Sequence, residues 1–262
     1  RLLLVRHGQT RANVRGTLDT AAPGPGLTTL GLRQAHAVPT ALQRTRIDAI
    51  YTSTLARSKA TADPLGRQRG IPLRSVPGLS EIGAGDLEGR VDARSQLVYL
   101  TTAFAWAGGD VDRTMPGGCS GHEFFARFDA AIERIVTETQ GDGTGAGSGA
   151  NAGAGAGRAR GGIPPAVSYL PTESRTAVVF GHGLAIRTWV AARCRNIDVH
   201  YASGHVLENT GLVVLDRSAE AGPGEWFMSR WVCEPVGGLV LRDGEAADPT
   251  GEAVGGAALR RW

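Results

Sequence analysis

The chain has 262 residues, of which 42% are hydrophobic and 20% are charged, and its formal net charge is +3. This length allows one large α/β domain with a substantial core, and the composition excludes fibrous and strongly disordered classes. The weak charge, without a basic stripe between aromatic residues, argues against nucleic-acid binding, and no apolar run approaches the roughly 20 residues of a membrane span.

Short apolar runs rich in β-branched residues alternate with segments of helical period. This alternation predicts the α/β class, as a three-layer sandwich with a mainly parallel sheet flanked by helices. The predicted strands are Leu2 to Val5, Asp48 to Tyr51, Pro72 to Val76, Ala177 to Phe180, Leu212 to Leu215 and Trp226 to Val232. The predicted helices are Thr28 or Thr29 to about Arg44, Leu55 to Arg69, Ala93 to Ala107, Glu123 to Thr139 and Leu184 to Cys194.

Two segments carry local structural signals of their own. The sequence SGHE at residues 120–123 fits a capping box, in which Ser120 and Glu123 bind each other's backbone amides. Residues 141–162 are Gly/Ala-rich and almost free of large apolar side chains, so burial cannot offset the entropy lost on ordering them. We therefore expect a single domain over residues 1–262 with a flexible insertion at 141–162.

Two histidines follow predicted strands, at the end of the sheet where ligands bind in open parallel sheets. His7 follows the run LLLVR, and His182 follows TAVVFG. A glycine comes after each histidine and allows a ligand to approach the backbone closely. The helix that begins near Leu184 would also offer free N–H groups to an anion.

Two further segments complete a candidate site. Arg57 lies near the start of the helix that follows the second strand, and Glu81 lies in the glycine-rich loop LSEIGAGDLEG, where Asp86 and Glu88 are alternatives. These residue types suit phosphoryl transfer. Guanidinium groups bind phosphate oxygens, imidazole can attack phosphorus, and a carboxylic acid can protonate the leaving oxygen.

Four segments, in this order along the chain, resemble the histidine phosphatase superfamily, also called phosphoglycerate mutase-like. They are RHGQTRAN, TSTLARSKATA, LSEIGAGDLEG and VVFGHGLAIR. The resemblance implies a phosphoglycerate mutase-like fold and hydrolysis of a small phosphorylated metabolite through a phosphohistidine intermediate. It also implies the site roles: His7 as nucleophile, Arg6, Arg57 and His182 as phosphoryl-binding groups, Glu81 as general acid and then base, Asn13 as a hydrogen-bond donor, and backbone amides near Thr10 and Gly183 as helpers.

The charges predict how such a site would work. Positive charge on Arg6 and Arg57 disfavours the imidazolium form of His7 and keeps the nucleophile neutral. The same cations would stabilise the transferring phosphoryl group, so we expect neither a metal nor another cofactor.

Some positions depart from the family pattern and leave alternatives open. Cys119 replaces the glutamate of a Gly-Gly-Glu-Ser motif, and Ala12, Asp19-Thr20 and Asp92 stand where phosphoglycerate mutases have an aromatic residue, a Thr/Ser-Gly pair and a lysine. Loss of that cation argues against a cofactor-dependent mutase, which remains the first alternative. The second is a non-catalytic anion-binding or scaffold protein of the same fold.

The remaining candidate residues have simpler interpretations. We expect His36 and His122 on helix surfaces, and His205, beside the segment LENTG, is a minor alternative for the pocket lining. Tyr99, Phe104 and Trp106 have the spacing of core residues. We expect a lid built from Asp92 to Gly118 and the glycine-rich insertion to select the substrate. Three cysteines, with no basic and apolar leader, favour reduced thiols and a cytoplasmic location, with a small phosphorylated substrate as the only expected partner.

Overall fold

Among the residues that the structure describes, the chain forms six strands and seven α-helices. A computed structural model of the protein describes residues 1–141, 175–217, 225–239 and 250–251. The strands are β1 (Leu2–Arg6), β2 (Ala49–Thr52), β3 (Leu73–Ser75), β4 (Ala177–Gly181), β5 (Leu212–Asp216) and β6 (Phe227–Val232). The helices are α1 (Arg11–Arg15), α2 (Thr29–Ala41), α3 (Ala56–Arg69), α4 (Ala93–Ala107), α5 (Gly121–Gly141), α6 (Gly183–Arg193) and α7 (Val199–Gly204).

The strands form one sheet in the order β3-β2-β4-β1-β5-β6. Strands β1 to β4 are parallel to one another, whereas β5 is antiparallel to both of its neighbours, β1 and β6. The predicted mainly parallel sheet is therefore confirmed. Strand β4 lies between β1 and β2, and Arg6 pairs with Gly181 at the carboxyl ends of β1 and β4. Because neighbouring strands lie about 4.8 Å apart, the residues that follow these two strands are brought together.

Helices cover both faces of the central part of the sheet, which explains why β1, β2 and β4 are buried along their whole length. Alternate residues of β1 enter separate core clusters: Leu2 and Leu4 face α4, α5 and α6, while Leu3 and Val5 face α2 and α3. Such two-sided burial is typical of parallel sheets and produces the predicted three layers.

The predicted helices agree with the structure to within a few residues. Thr28 caps α2 by accepting from the Gly31 amide, and the reciprocal Ser120 and Glu123 bonds of the capping box are present. Helices α1 and α7 were not predicted, because their 5 and 6 residues are too few to show a helical period. Gly141 ends α5, and the rest of the predicted insertion, 142–162, lies outside the described residues. Within the described ranges, no helix has the length and apolar character to span a bilayer.

Candidate active site

The two histidines meet at the carboxyl ends of β1 and β4. Their ring centroids are 5.3 Å apart, and the ring planes are tilted by 58°. Both side chains are buried, His7 at 4% and His182 at 0% exposure. The topology thus brings together two imidazoles that are 175 positions apart in sequence, as the analysis of strand ends predicted.

The hydrogen bonds of His7 define which ring nitrogen can react. Nδ1 lies 2.8 Å from the carbonyl oxygen of Gly8, and Arg57 Nε donates to Nε2 at 3.1 Å. Because a carbonyl can only accept, Nδ1 carries the proton and Nε2 keeps its lone pair. Burial lowers the pKa of His7 well below its usual value, and Arg57, His182 and Arg6 lower this pKa further. His7 is therefore a neutral imidazole with Nε2 as its basic atom, and burial contributes more than the arginines do.

Arg57 presents one unsatisfied donor beside His7. The residue is 2% exposed and lies in the first turn of α3. Its Nη2 donates to the backbone carbonyl of Asp19 at 3.0 Å, whereas Nη1 is buried and makes no hydrogen bond to any described residue. The Asp19 carboxylate lies 3.6 Å from Nη1, which is an ion-pair contact beyond hydrogen-bond distance. A buried charged donor without a hydrogen bond is costly, so Nη1 is suited to an anionic oxygen.

Arg6 is anchored to protein groups more firmly than the sequence predicted. Its Nη1 donates to the carbonyl of Leu207 at 2.7 Å, and its Nη2 donates to Thr250 Oγ1 at 3.1 Å. The cation nevertheless lowers the pKa of both imidazoles, which shows that its positive charge acts on the site. Direct contact of Arg6 with a phosphoryl group stays a prediction.

His182 has a partner that the sequence analysis missed. Its Nε2 lies 2.7 Å from the hydroxyl of Ser53, which directly follows β2. The Ser53 amide donates to the carbonyl of Phe180, the residue paired with the last residue of β2. Burial lowers the pKa of His182 well below its usual value, followed by the effects of Arg57, Arg127 and Arg6. Ser53 could have been found only by knowing that β2 and β4 are neighbours.

Glu81 is the carboxylate that the structure brings to this cluster. It is 6% exposed and accepts from the amides of Ala185 at 2.8 Å and Leu184 at 3.3 Å. The first-turn N–H groups of α6, predicted to attract an anion, thus bind Glu81. Burial raises the pKa of Glu81 despite the opposing effects of the Ile82, Ala185 and Leu184 amides and of Arg57. A buried carboxyl that keeps its proton to higher pH is suited to general acid catalysis.

The two other acidic residues of this loop are more exposed than Glu81. Asp86 and Glu88 are exposed, and the Glu88 carboxylate accepts from the amides of Thr20 and Ala21. Of the three carboxylates left open by the sequence, the geometry therefore favours Glu81.

With this geometry established, comparison with known proteins identifies the family. A profile of the histidine phosphatase superfamily (branch 1) matches residues 2–146, more than half of the chain. The chain belongs to this superfamily.

Two relatives are similar to this chain over different lengths. The PE-PGRS family protein PE_PGRS11 of Mycobacterium tuberculosis is 31% identical over 239 residues, which are 89% of this chain and 36% of that protein. The adenosylcobalamin/α-ribazole phosphatase of Escherichia coli K12 is 32% identical over 136 residues, 52% of this chain and 64% of that protein. The chain thus spans about a third of the first relative and under two thirds of the second.

A solved structure with the same fold is the mycobacterial glucosyl-3-phosphoglycerate phosphatase in complex with VO3. It superposes with a TM-score of 0.63 at 23% sequence identity, covering 89% of this chain and 98% of that one. At this level of identity the likeness establishes the fold alone, which confirms the expected histidine phosphatase architecture.

The predicted substrate-binding residues outside the cluster have structural partners. Thr10 caps α1 through Asn13, and the Thr10 amide, predicted to assist phosphate binding, donates to Asn13 Oδ1 at 2.8 Å. The helix cap uses that amide in this structure, and a role of Thr10 in phosphate binding stays a prediction. Asn13 Oδ1 also accepts from the side-chain amide of Asn209, which donates to the His7 carbonyl at 3.1 Å as well. A role of Asn13 in substrate binding stays a prediction.

The glycines after the two histidines permit close packing within the protein. A Cβ atom on Gly8 would lie 2.7 Å from the carbonyl oxygen of Gly31 in α2, and one on Gly183 would lie 2.9 Å from Arg6 Nε. We expected glycine there for the approach of a ligand. In the structure, a helix backbone and a guanidinium group approach instead. The role of the Gly183 amide stays a prediction.

The positions that depart from the mutase pattern have local explanations. The carboxylate of Asp19 lies 3.6 Å from Arg57 Nη1, so this departure places a negative charge at the edge of the cluster. Asp92 accepts from the Ser95 amide at 2.9 Å and caps α4. Cys119 is half-buried, and burial raises the pKa of its thiol while Arg127 opposes that change.

The other residues singled out from the sequence lie as expected. His36 and His122 are exposed on helices, and Tyr99, Phe104 and Trp106 are buried in the main core. His205 stacks on Tyr201 at 3.7 Å between ring centroids, away from the paired histidines.

Proposed function

We propose that the protein hydrolyses a phosphomonoester, with His7 as a nucleophile that becomes phosphorylated, and that the substrate is a small phosphorylated metabolite. The observation that carries the proposal is the position of Nε2 of a neutral His7 beside Arg57. A phosphoryl oxygen bound by Nη1 of Arg57 would hold the phosphorus atom next to this lone pair. The substrate class is in line with the relatives that are named as phosphatases of such metabolites.

In the first step, the Nε2 lone pair forms a bond to phosphorus while the bond to the leaving oxygen breaks. Glu81, whose carboxyl group keeps its proton to higher pH because of its burial, donates this proton to that oxygen, and the alcohol departs. Arg57 must turn its Nε donor away from Nε2 for the attack. A bound phosphoryl group would favour this movement, because its anionic oxygens are stronger acceptors than a neutral imidazole.

In the second step, the ionised Glu81 takes a proton from a water molecule that attacks phosphorus. The nitrogen–phosphorus bond breaks, inorganic phosphate leaves, and both His7 and Glu81 return to their starting forms. The amides of Leu184 and Ala185 stabilise the carboxylate between the two steps.

The first alternative, a cofactor-dependent phosphoglycerate mutase, is disfavoured by charge. Such an enzyme binds substrates with a carboxylate or a second phosphate, and the carboxylate of Asp19 at 3.6 Å from Arg57 would repel that further charge. The second alternative, a non-catalytic anion-binding protein, does not account for a buried carboxyl with a raised pKa that is bound to the first turn of α6, directly after His182.

A panel of phosphorylated metabolites, with the His7→Ala protein as a blank, tests the proposal. The panel should include α-ribazole phosphate and glucosyl-3-phosphoglycerate, for which relatives are named, and 3-phosphoglycerate with and without a bisphosphate primer. We expect phosphate release from at least one ester and none in the blank. Equal release by both proteins, or primer-dependent isomerisation faster than phosphate release, would contradict it.

A further inference from the structure

Arg127 on α5 binds backbone carbonyls of the loop that carries Glu81. Its Nη1 donates to the carbonyls of Gly78 at 2.7 Å and Ser80 at 2.8 Å, and its Nη2 donates to the carbonyl of Glu81 itself at 2.9 Å. The guanidinium carbon lies 5.1 Å from the centre of the Phe124 ring, which supports the group from one side. One side chain therefore fixes three of the four carbonyls from 78 to 81.

Neighbouring helices hold the same loop from two directions. Tyr99 of α4 is fully buried and donates its hydroxyl to the Ile82 carbonyl at 2.6 Å. Gly78 packs directly on α5, where an added Cβ would lie 2.8 Å from that of Ala131. The loop contains two short 3₁₀ turns, Pro77–Leu79 and Gly85–Leu87, and no strand. Its position therefore depends on these side-chain bonds, because no sheet ladder contributes.

This support matters because a general acid must reach the leaving oxygen within hydrogen-bond distance. The Glu81 carboxylate is tied to α6, and its backbone is tied to α5 through Arg127. A shift of about 1 Å in such a group can lower a rate about 100-fold. A lysine could not replace the planar fork of Arg127, since one ammonium group cannot match its spread of donors.

We propose that Arg127 is a positioning residue that holds the Glu81 carboxyl group within hydrogen-bond distance of the leaving oxygen. The inference rests on the proposed function, in which Glu81 is the general acid. Among the described residues Arg127 makes no hydrogen bond to His7 or His182. Its charge lowers the pKa of His182, and its hydrogen bonds act on Glu81 through the backbone of the loop.

The test uses two esters that differ in their need for an acid. 4-Nitrophenolate leaves without protonation, whereas an alkoxide leaves only with it, so a displaced Glu81 should harm an alkyl phosphate selectively. The value of kcat/KM reports the transfer to His7 for both esters. We expect Arg127→Met to lower it about 100-fold for the best alkyl phosphate of the panel, and less than about tenfold for 4-nitrophenyl phosphate.

Three further variants make the result interpretable. Glu81→Gln should show the full selective loss of kcat/KM for the alkyl phosphate, and Arg127→Lys should show a smaller selective loss. Arg134→Met is the matched control, because Arg134 lies on the same helix in an exposed ion pair with Glu138. It should behave as the unmodified protein with both esters.

The outcomes separate this inference from the proposed function. Selective loss in both Glu81→Gln and Arg127→Met supports the inference, and equal loss for both esters in Arg127→Met overturns it while leaving the role of Glu81 intact. A Glu81→Gln protein without selectivity overturns the general-acid role, and the inference with it. Should Arg127→Met fail to fold, Arg127→Lys decides: selective loss supports the inference, and no loss or equal loss overturns it.

Discussion

Replacing Asp19 by asparagine should strengthen phosphate binding. The Asp19 carboxylate lies 3.6 Å from Arg57 Nη1 and is 28% exposed. A charge pair at about 4 Å is worth about 1 kcal/mol in water and about 4 kcal/mol near a protein surface. Screening of a partly exposed group favours the lower value, about 1 kcal/mol or fivefold in a dissociation constant. Asparagine keeps the shape and the backbone carbonyl that binds Nη2 at 3.0 Å, so Arg57 should stay in place.

The assay is competitive inhibition by inorganic phosphate at pH 7 to 8, with Asp63→Asn as the control. Asp63 pairs with the exposed Arg67 on the same helix as Arg57. The Asp19→Asn gain should also be larger for 3-phosphoglycerate than for glycerol 3-phosphate, which differ by one carboxylate. Burial raises the pKa of Asp19, so the gain should fade as the pH falls through that raised pKa. Unchanged or weaker phosphate inhibition at pH 7 to 8 would refute this reasoning.

Three other changes have defined outcomes. Ser53→Ala leaves a buried nitrogen of His182 without its partner, at a cost of about 1 to 3 kcal/mol, and should lower kcat/KM about 10- to 100-fold. An unaltered kcat/KM would show that the contact is dispensable. The value of kcat/KM for an alkyl phosphate should fall as the pH rises through the raised pKa of Glu81, because the acid is lost there, and this decline should be absent in Glu81→Gln. Gly8→Ala places a Cβ 2.7 Å from a helix carbonyl and should destabilise the protein by about 1 to 3 kcal/mol in urea, and an unchanged midpoint speaks against the packing role.

The sequence was sufficient to predict a mainly parallel sheet and the residues at the carboxyl ends of its central strands. Runs such as Leu2 to Val5 are apolar on both faces, so they could be assigned to a buried parallel sheet without further information. His7 and His182 could be placed at one edge because each directly follows such a run. These predictions depend on local pattern, and the structure agrees with them.

The supporting contacts could not be predicted because they depend on tertiary neighbours. Ser53 binds His182 because β2 lies beside β4, and Arg127 reaches the Glu81 loop because α5 packs against it. Neither fact leaves a local periodic signal. The free helix amides expected near Leu184 were taken by Glu81, a residue 103 positions earlier in the chain. Hydrogen bonds of this kind follow from the packing of the whole domain.

Trapping the phosphorylated intermediate tests the central claim most directly. The Glu81→Gln protein should react with phosphorus-labelled 4-nitrophenyl phosphate, whose leaving group needs no acid, and then stall because no base activates water. After a quench in alkali, the account predicts about one label per chain, lost in acid, on the peptide that contains His7, and none on His7→Ala. Label on His182 instead of His7 would contradict it. So would phosphate release by the unmodified protein when neither this protein nor either variant carries any label.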